Sequence, residues 1–118
     1  DPQTGRSDDG FAIKLPEKMP TAFVCNNDAA AAMLVQTLEN HGYKVPEDIS
    51  VVGYDNYQPP GLCDIGITSY EVDMHEMAER TVKNMIGKIS GVYYKQGVYI
   101  VSGRIIYKDS VRRRMPES

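Results

Sequence analysis

Apolar and polar positions along this chain switch between a two-residue period and a 3.6-residue period. Phe11, Ile13 and Leu15 alternate with Ala12 and Lys14, which predicts a short strand ended by Pro16. Thr21 to Cys25 is a bounded apolar run of the kind a buried parallel strand requires. Ala31, Leu34, Val35 and Leu38 then recur at i, i+3, i+4 and i+7, one apolar face of a helix. Asn27 or Asp28 can cap that helix, because a short side-chain oxygen satisfies the free amides of a first turn. Gly42 ends it. Ile49 to Gly53 reads as a second buried strand, and Asp55 to Gly66, with Pro59, Pro60 and two glycines, as a loop. Ile67 to Tyr70 predicts a third strand. From Asp73 to Ile89, Met74, Met77, Ala78, Val82, Met85 and Ile89 fit a second helix, followed by Gly91. Val98–Val101 and Arg104–Tyr107 are strand-like runs around a turn at Ser102-Gly103.

Strands alternating with helices predict an α/β fold with a parallel sheet and flanking helices. Residues 1–10 are polar and expected to be loose, residues 11–114 to fold, and residues 115–118 to form a tail. The polar start, Asp-Pro-Gln-Thr-Gly, reads as a cut within a longer protein. A chain of 118 residues with 42% hydrophobic and 25% charged positions can bury a core without a disulfide or metal. The net charge of −3 argues against a nucleic-acid partner for this chain, and Arg112-Arg113-Arg114 reads as a solvated tail. Two cysteines, Cys25 and Cys63, without a CxxC spacing read as reduced thiols. No apolar stretch approaches the ~20 residues of a membrane helix. Residues 1–10 hold no signal-peptide core, so a cytoplasmic protein without membrane contact is expected.

Two predicted strands end in polar residues, one in Asn26-Asn27-Asp28 and the other in Tyr54-Asp55-Asn56. Ligands of open α/β sheets lie outside the carboxyl ends of strands. Asn27, Asp28, Asp55 and Asn56 are therefore the candidate ligand-binding residues, with Tyr54, Tyr57 or Tyr70 as a flat wall. The competing local reading makes Asn27 and Asp28 helix caps and Asp55-Asn56 a turn; capping and binding are compatible. Catalysis finds little support. His75-Glu76-Met77-Ala78-Glu79 departs from the zinc pattern H-E-x-x-H at its last position, and no third ligand is apparent. Phosphate loops, dinucleotide loops and a G-x-S-x-G elbow are all missing from the sequence. No catalytic residue, metal or cofactor is expected. The alanine run Ala29 to Ala32, with Ala30 and Met33 away from the main stripe, also suits a helix that faces a second chain.

The run Pro20 to Asp28, the run His41 to Asn56 containing Val45-Pro-Glu-Asp-Ile-Ser-Val-Val-Gly-Tyr-Asp55, the stretch Ile67 to Asp73 and the run Ser102 to Ser110 together resemble LacI/GalR transcriptional regulators. The resemblance spans about residues 11 to 114. It implies part of a periplasmic-binding-protein-like (type I) lobe that senses a small polar effector and forms a homodimer. In that family a separate helix-turn-helix headpiece carries the contact with operator DNA. It also implies effector contacts at Asn27 and Asp55 and a dimer interface including Ala30, Met33, Leu34, Leu62 and Cys63. Val72 and Met74 stand where the lactose-binding branch has a glutamine and a phenylalanine, so the effector is expected to be read differently. In the family the helix like 73–89 packs on the other lobe, so its apolar stripe is expected to need a partner here, by segment exchange or a second copy. A transporter's sugar-binding protein shares the fold and is the alternative; a catalytic α/β domain is a third class.

Overall fold

The computed structural model describes residues 13–91 and 97–115. Six elements follow one another: β1 (Ala22–Val24), α1 (Asp28–Asn40), β2 (Ser50–Tyr54), β3 (Thr68–Val72), α2 (Met74–Ser90) and β4 (Gly103–Ile106). The strands form one sheet in the order β1-β2-β3-β4. β1, β2 and β3 are parallel, with Val24 opposite Val52 and Val52 opposite Thr68. β4 runs antiparallel to β3, placing Arg104 opposite Glu71. The parallel α/β sheet expected from the sequence is thus closed at one edge by an antiparallel strand.

The stripe on α1 does what its spacing predicts. Ala31, Leu34, Val35 and Leu38 are buried, and they pack with Val45, Ile49, Val51 and Ile67 in the core. Leu34, expected at a dimer surface, is only 4% exposed within this chain, so it belongs to the core. Ala30, Met33, Leu62 and Cys63 are half-buried and keep some surface. Asn27 caps α1 by accepting a 2.7 Å hydrogen bond from the Ala30 amide. Asp28 follows as the first helical residue, fully buried against β2. Gly53 makes that approach possible, because a Cβ there would collide with the Asp28 carboxylate.

Two predicted strands are missing. Ile13–Leu15 is not paired in the sheet; Ile13 and Leu15 instead lean on the core as side chains, while Phe11 and Ala12 lie outside the described residues. Val98–Val101 also forms no strand, and Val98 and Ile100 are exposed. A β-prone run needs a neighbour for its amides and carbonyls. The pairing of β3 with β4 runs from Ser69↔Ile106 to Val72↔Gly103, so β3 offers the earlier residues no partner.

The chain after β4 is fastened beneath the sheet. The Ser110 hydroxyl donates to the Val51 carbonyl and accepts from the Thr68 amide at 2.8 Å, and the Ser110 carbonyl accepts from the Val51 amide at 2.9 Å. Ser110 thus stands in for a strand residue between the amino ends of β2 and β3. The arginine run expected to be a free tail is partly tied down. The Arg112 amide donates to Ser50 Oγ at 3.1 Å, and Arg114 Nη1 donates to the Asp48 carbonyl at 3.2 Å.

α2 begins with Asp73, whose Oδ1 accepts from the Glu76 amide at 3.0 Å, and none of its residues is buried. Met74, Met77, Val82, Met85, Ile86 and Ile89 are all exposed. Its apolar stripe therefore has no cover among the described residues.

Candidate functional site

The carboxyl ends of the parallel strands open on one edge of the sheet. At the tip of β2 the backbone turns sharply, and Asp55 and Asn56 both have positive φ, 94° and 54°. Two consecutive non-glycine residues in this region are uncommon, although aspartate and asparagine tolerate it better than most. The Asp55 amide is held by the Tyr70 carbonyl at 2.9 Å. Among the described residues its carboxylate has no hydrogen-bond partner.

A cavity of about 1050 Å³ lies beside this corner. Asp55, Asn56 and Tyr57 form one wall, Glu71 to His75 a second, and Ser102, Gly103 and Arg104 a third. The volume is at the upper end of what small-molecule sites require. Its polar groups are unevenly committed. Arg104 Nη2 lies 3.6 Å from Glu71 Oε1, Lys108 Nζ donates to Asn56 Oδ1 at 2.7 Å, and Asn56 Nδ2 donates to Glu71 Oε2. His75 Nε2 lies 3.1 Å from Glu79 Oε1 on the exposed face of α2. This arrangement leaves the Asp55 carboxylate as an acceptor for ligand hydroxyl or amine hydrogens. Gly103 lets β4 form the third wall, because a Cβ there would lie 2.6 Å from Tyr70 Cε1 and collide with the Glu71 carbonyl.

Of the four ligand-binding candidates, Asp55 and Asn56 line the cavity and Asn27 and Asp28 do not. Asn27 sits at the tip of the neighbouring strand, where its side chain caps α1. Asp28 is 0% exposed and both carboxylate oxygens lack a hydrogen-bond partner among the described residues, so it has no face toward a ligand. Tyr57 contributes to the wall, whereas Tyr54 and Tyr70 stack on one another with centroids 5.5 Å apart. Val72 and Met74, the departures from the lactose-type pattern, both line the cavity. Glu71 and Arg104 were not singled out as site residues by the sequence; the antiparallel register that sets them opposite one another is a long-range pairing.

No group of three or more metal-ligating side chains occurs among the described residues. The exposed His75–Glu79 pair is one turn of a solvated helix face. Cys25 and Cys63 are free thiols, and burial pushes both up from the usual thiol range. That disfavours the thiolate a nucleophile needs. No described helix is long and apolar enough to cross a membrane.

Comparisons with known proteins agree with this architecture. Residues 3–111 match the family described as "Periplasmic binding protein-like domain". The HTH-type transcriptional repressor PurR of Vibrio campbellii is 29% identical over 101 residues, covering 86% of this chain and 30% of that protein. The HTH-type transcriptional repressor CytR of Escherichia coli (strain K12) is 27% identical over 100 residues, covering 85% of this chain and 29% of that protein. A LacI-type transcription regulator from Bifidobacterium animalis subsp. lactis has a similar structure, with a TM-score of 0.70 and 28% identity over 80% of this chain and 34% of that one. This chain spans roughly a third of the length of these relatives. It belongs to the periplasmic binding protein-like domain family, in the form carried by LacI/GalR-type transcriptional regulators.

Proposed function

We propose that this chain is part of the effector-sensing and dimerising domain of a transcriptional regulator. Its ligand is a small molecule bearing hydroxyl or amine hydrogens, and it is held at the cavity beside Asp55. The observation that carries this reading is the Asp55 carboxylate, without a hydrogen-bond partner among the described residues, on a positive-φ corner at the carboxyl end of a parallel strand beside that cavity. Asn27 on the adjacent strand is the second contact in this reading, reached once a ligand extends past Asp55. Catalysis forms no part of the proposed function, which is exercised in the cytoplasm.

The functional unit in this reading is a homodimer whose interface includes Ala30, Met33, Leu62 and Cys63. The exposed stripe of α2 is covered in the assembled protein, by segment exchange or by another part of the same protein. Operator DNA is contacted through a headpiece elsewhere in the protein, and effector binding alters that contact by shifting lobe closure. The relatives named above are repressors and regulators, which favours this reading over a transporter's binding protein.

Isothermal titration of the full-length protein against D-ribose, D-glucose, cellobiose and adenosine tests the site. Asp55→Gly, which permits the positive φ, should weaken binding at least about 100-fold, the loss expected when a ligand's buried polar groups lose their partner, with little change in the unfolding midpoint. Unchanged affinity would remove Asp55 from the site.

A further inference from the structure

The corner at Asp55-Asn56 adopts a conformation that non-glycine residues avoid, so something outside it must hold it there. Asn56 has three anchors on two other parts of the chain. Its amide donates to Ser69 Oγ at 2.8 Å, its Nδ2 donates to Glu71 Oε2, and its Oδ1 accepts from Lys108 Nζ at 2.7 Å. Glu71 is steadied in turn by Arg104, 3.6 Å from its other oxygen. The bridge therefore ties the β2 tip to β3, to β4 and to the segment after β4. Both ends of the Asn56 amide are occupied inside the protein, while the neighbouring Asp55 carboxylate has no hydrogen-bond partner among the described residues.

We infer that Asn56 and Glu71 are positioning residues: their hydrogen bond holds the Asp55 carboxylate open to the cavity and sets ligand affinity through Asp55, their own polar atoms being already engaged with each other, with Lys108 and with Arg104. The inference rests on the reading of Asp55 as the ligand contact. A point contact on a fixed corner needs no reorganisation when the ligand arrives, and a loose corner would weaken binding although Asp55 itself is intact. Lys108 is the third member of the bridge and works from outside the cavity lining.

A swap of partners tests this. Asn56→Asp keeps the size of the side chain and a tolerance for positive φ, but sets two carboxylates against one another. It should raise the Kd of whichever of D-ribose, D-glucose, cellobiose or adenosine the full-length protein binds by at least about tenfold, within the coupling found between hydrogen-bonded neighbours. Adding Glu71→Gln restores a donor–acceptor pair with reversed polarity, and the double variant should return to within about threefold of the parent. Asn56→Gly, which permits the backbone but removes both side-chain arms, should lose as much affinity as Asn56→Asp. A second readout needs no ligand: the Asp55 amide and carboxyl NMR resonances should move in Asn56→Asp and return in the double variant. The inference is overturned if Asn56→Asp or Asn56→Gly binds like the parent, if the double variant fails to recover, or if the Asp55 resonances do not move. Should none of the four compounds bind the parent protein, the effector reading loses its support, and the Asp55 resonances still decide the positioning role.

Discussion

Removing one hydroxyl, that of Ser110, should destabilise this fold more than any change on its surface. Ser110 is fully buried and completes both polar groups that Val51 turns toward it, accepting the amide with its carbonyl and donating its hydroxyl to the carbonyl. The same hydroxyl accepts from the Thr68 amide at the start of β3. In Ser110→Ala the Val51 amide keeps its bond, but the Val51 carbonyl and the Thr68 amide each lose a partner in a site too tightly enclosed to admit water freely. A buried orphan of this kind costs about 1–3 kcal/mol, so the pair should cost about 2–6 kcal/mol. That is a large share of the roughly 5–15 kcal/mol that stabilises a typical domain. Urea denaturation should show a lower midpoint at an unchanged slope. Ser90→Ala, which removes an exposed hydroxyl from the end of α2, serves as the control and should stay within about 0.5 kcal/mol of the parent. A loss below that figure for Ser110→Ala would refute the claim that this serine substitutes for a strand residue.

The core should respond far more strongly than the exposed stripe. Leu38→Ala should cost about 2–5 kcal/mol by urea denaturation, because Leu38 is 0% exposed among packed neighbours. Met85→Ala, at 54% exposure, should cost less than about 0.5 kcal/mol in the isolated chain. Gly103→Ala should force β4 away from Tyr70 and Glu71 at an overpacking cost of about 1–3 kcal/mol, visible as loss of amide-exchange protection along β3 and β4. The two thiols should react slowly with iodoacetamide near neutral pH, since burial raises both pKa values in the folded chain. The folded state holds those protons longer than the unfolded state does. Their contribution to stability is therefore complete below the ordinary thiol range and is lost as pH rises through the raised folded values, which a pH series of melting midpoints would show.

The elements legible in the sequence were those whose pattern is local. The α1 stripe, the Asn27 cap, the extent of α2 and the three parallel strands follow from spacing and capping chemistry within a few residues. What depended on distant pairing was not legible. Val98–Val101 is as β-prone as Arg104–Tyr107, yet only the latter run meets β3 in register. Leu34 suited a dimer surface and a core equally well until the sheet beneath α1 fixed which side it faces. The same divide runs through the site. Asp55 and Asn56 announced themselves as a polar strand tip, whereas Glu71 and Arg104 reach the cavity through an antiparallel register set across 32 residues of intervening chain. The cavity accordingly opens toward β3 and β4, on the opposite side of Asp55 from Asn27 and β1.

Amide chemical-shift mapping of the full-length protein, titrated with D-ribose, D-glucose, cellobiose and adenosine, probes that location most directly. The account predicts shifts concentrated at Asp55, Tyr57, Glu71, Val72 and Arg104 as one of these compounds saturates, with Tyr43 and Glu47 on another face unmoved. Saturable binding whose shifts bypass Asp55 and Arg104 altogether would contradict it.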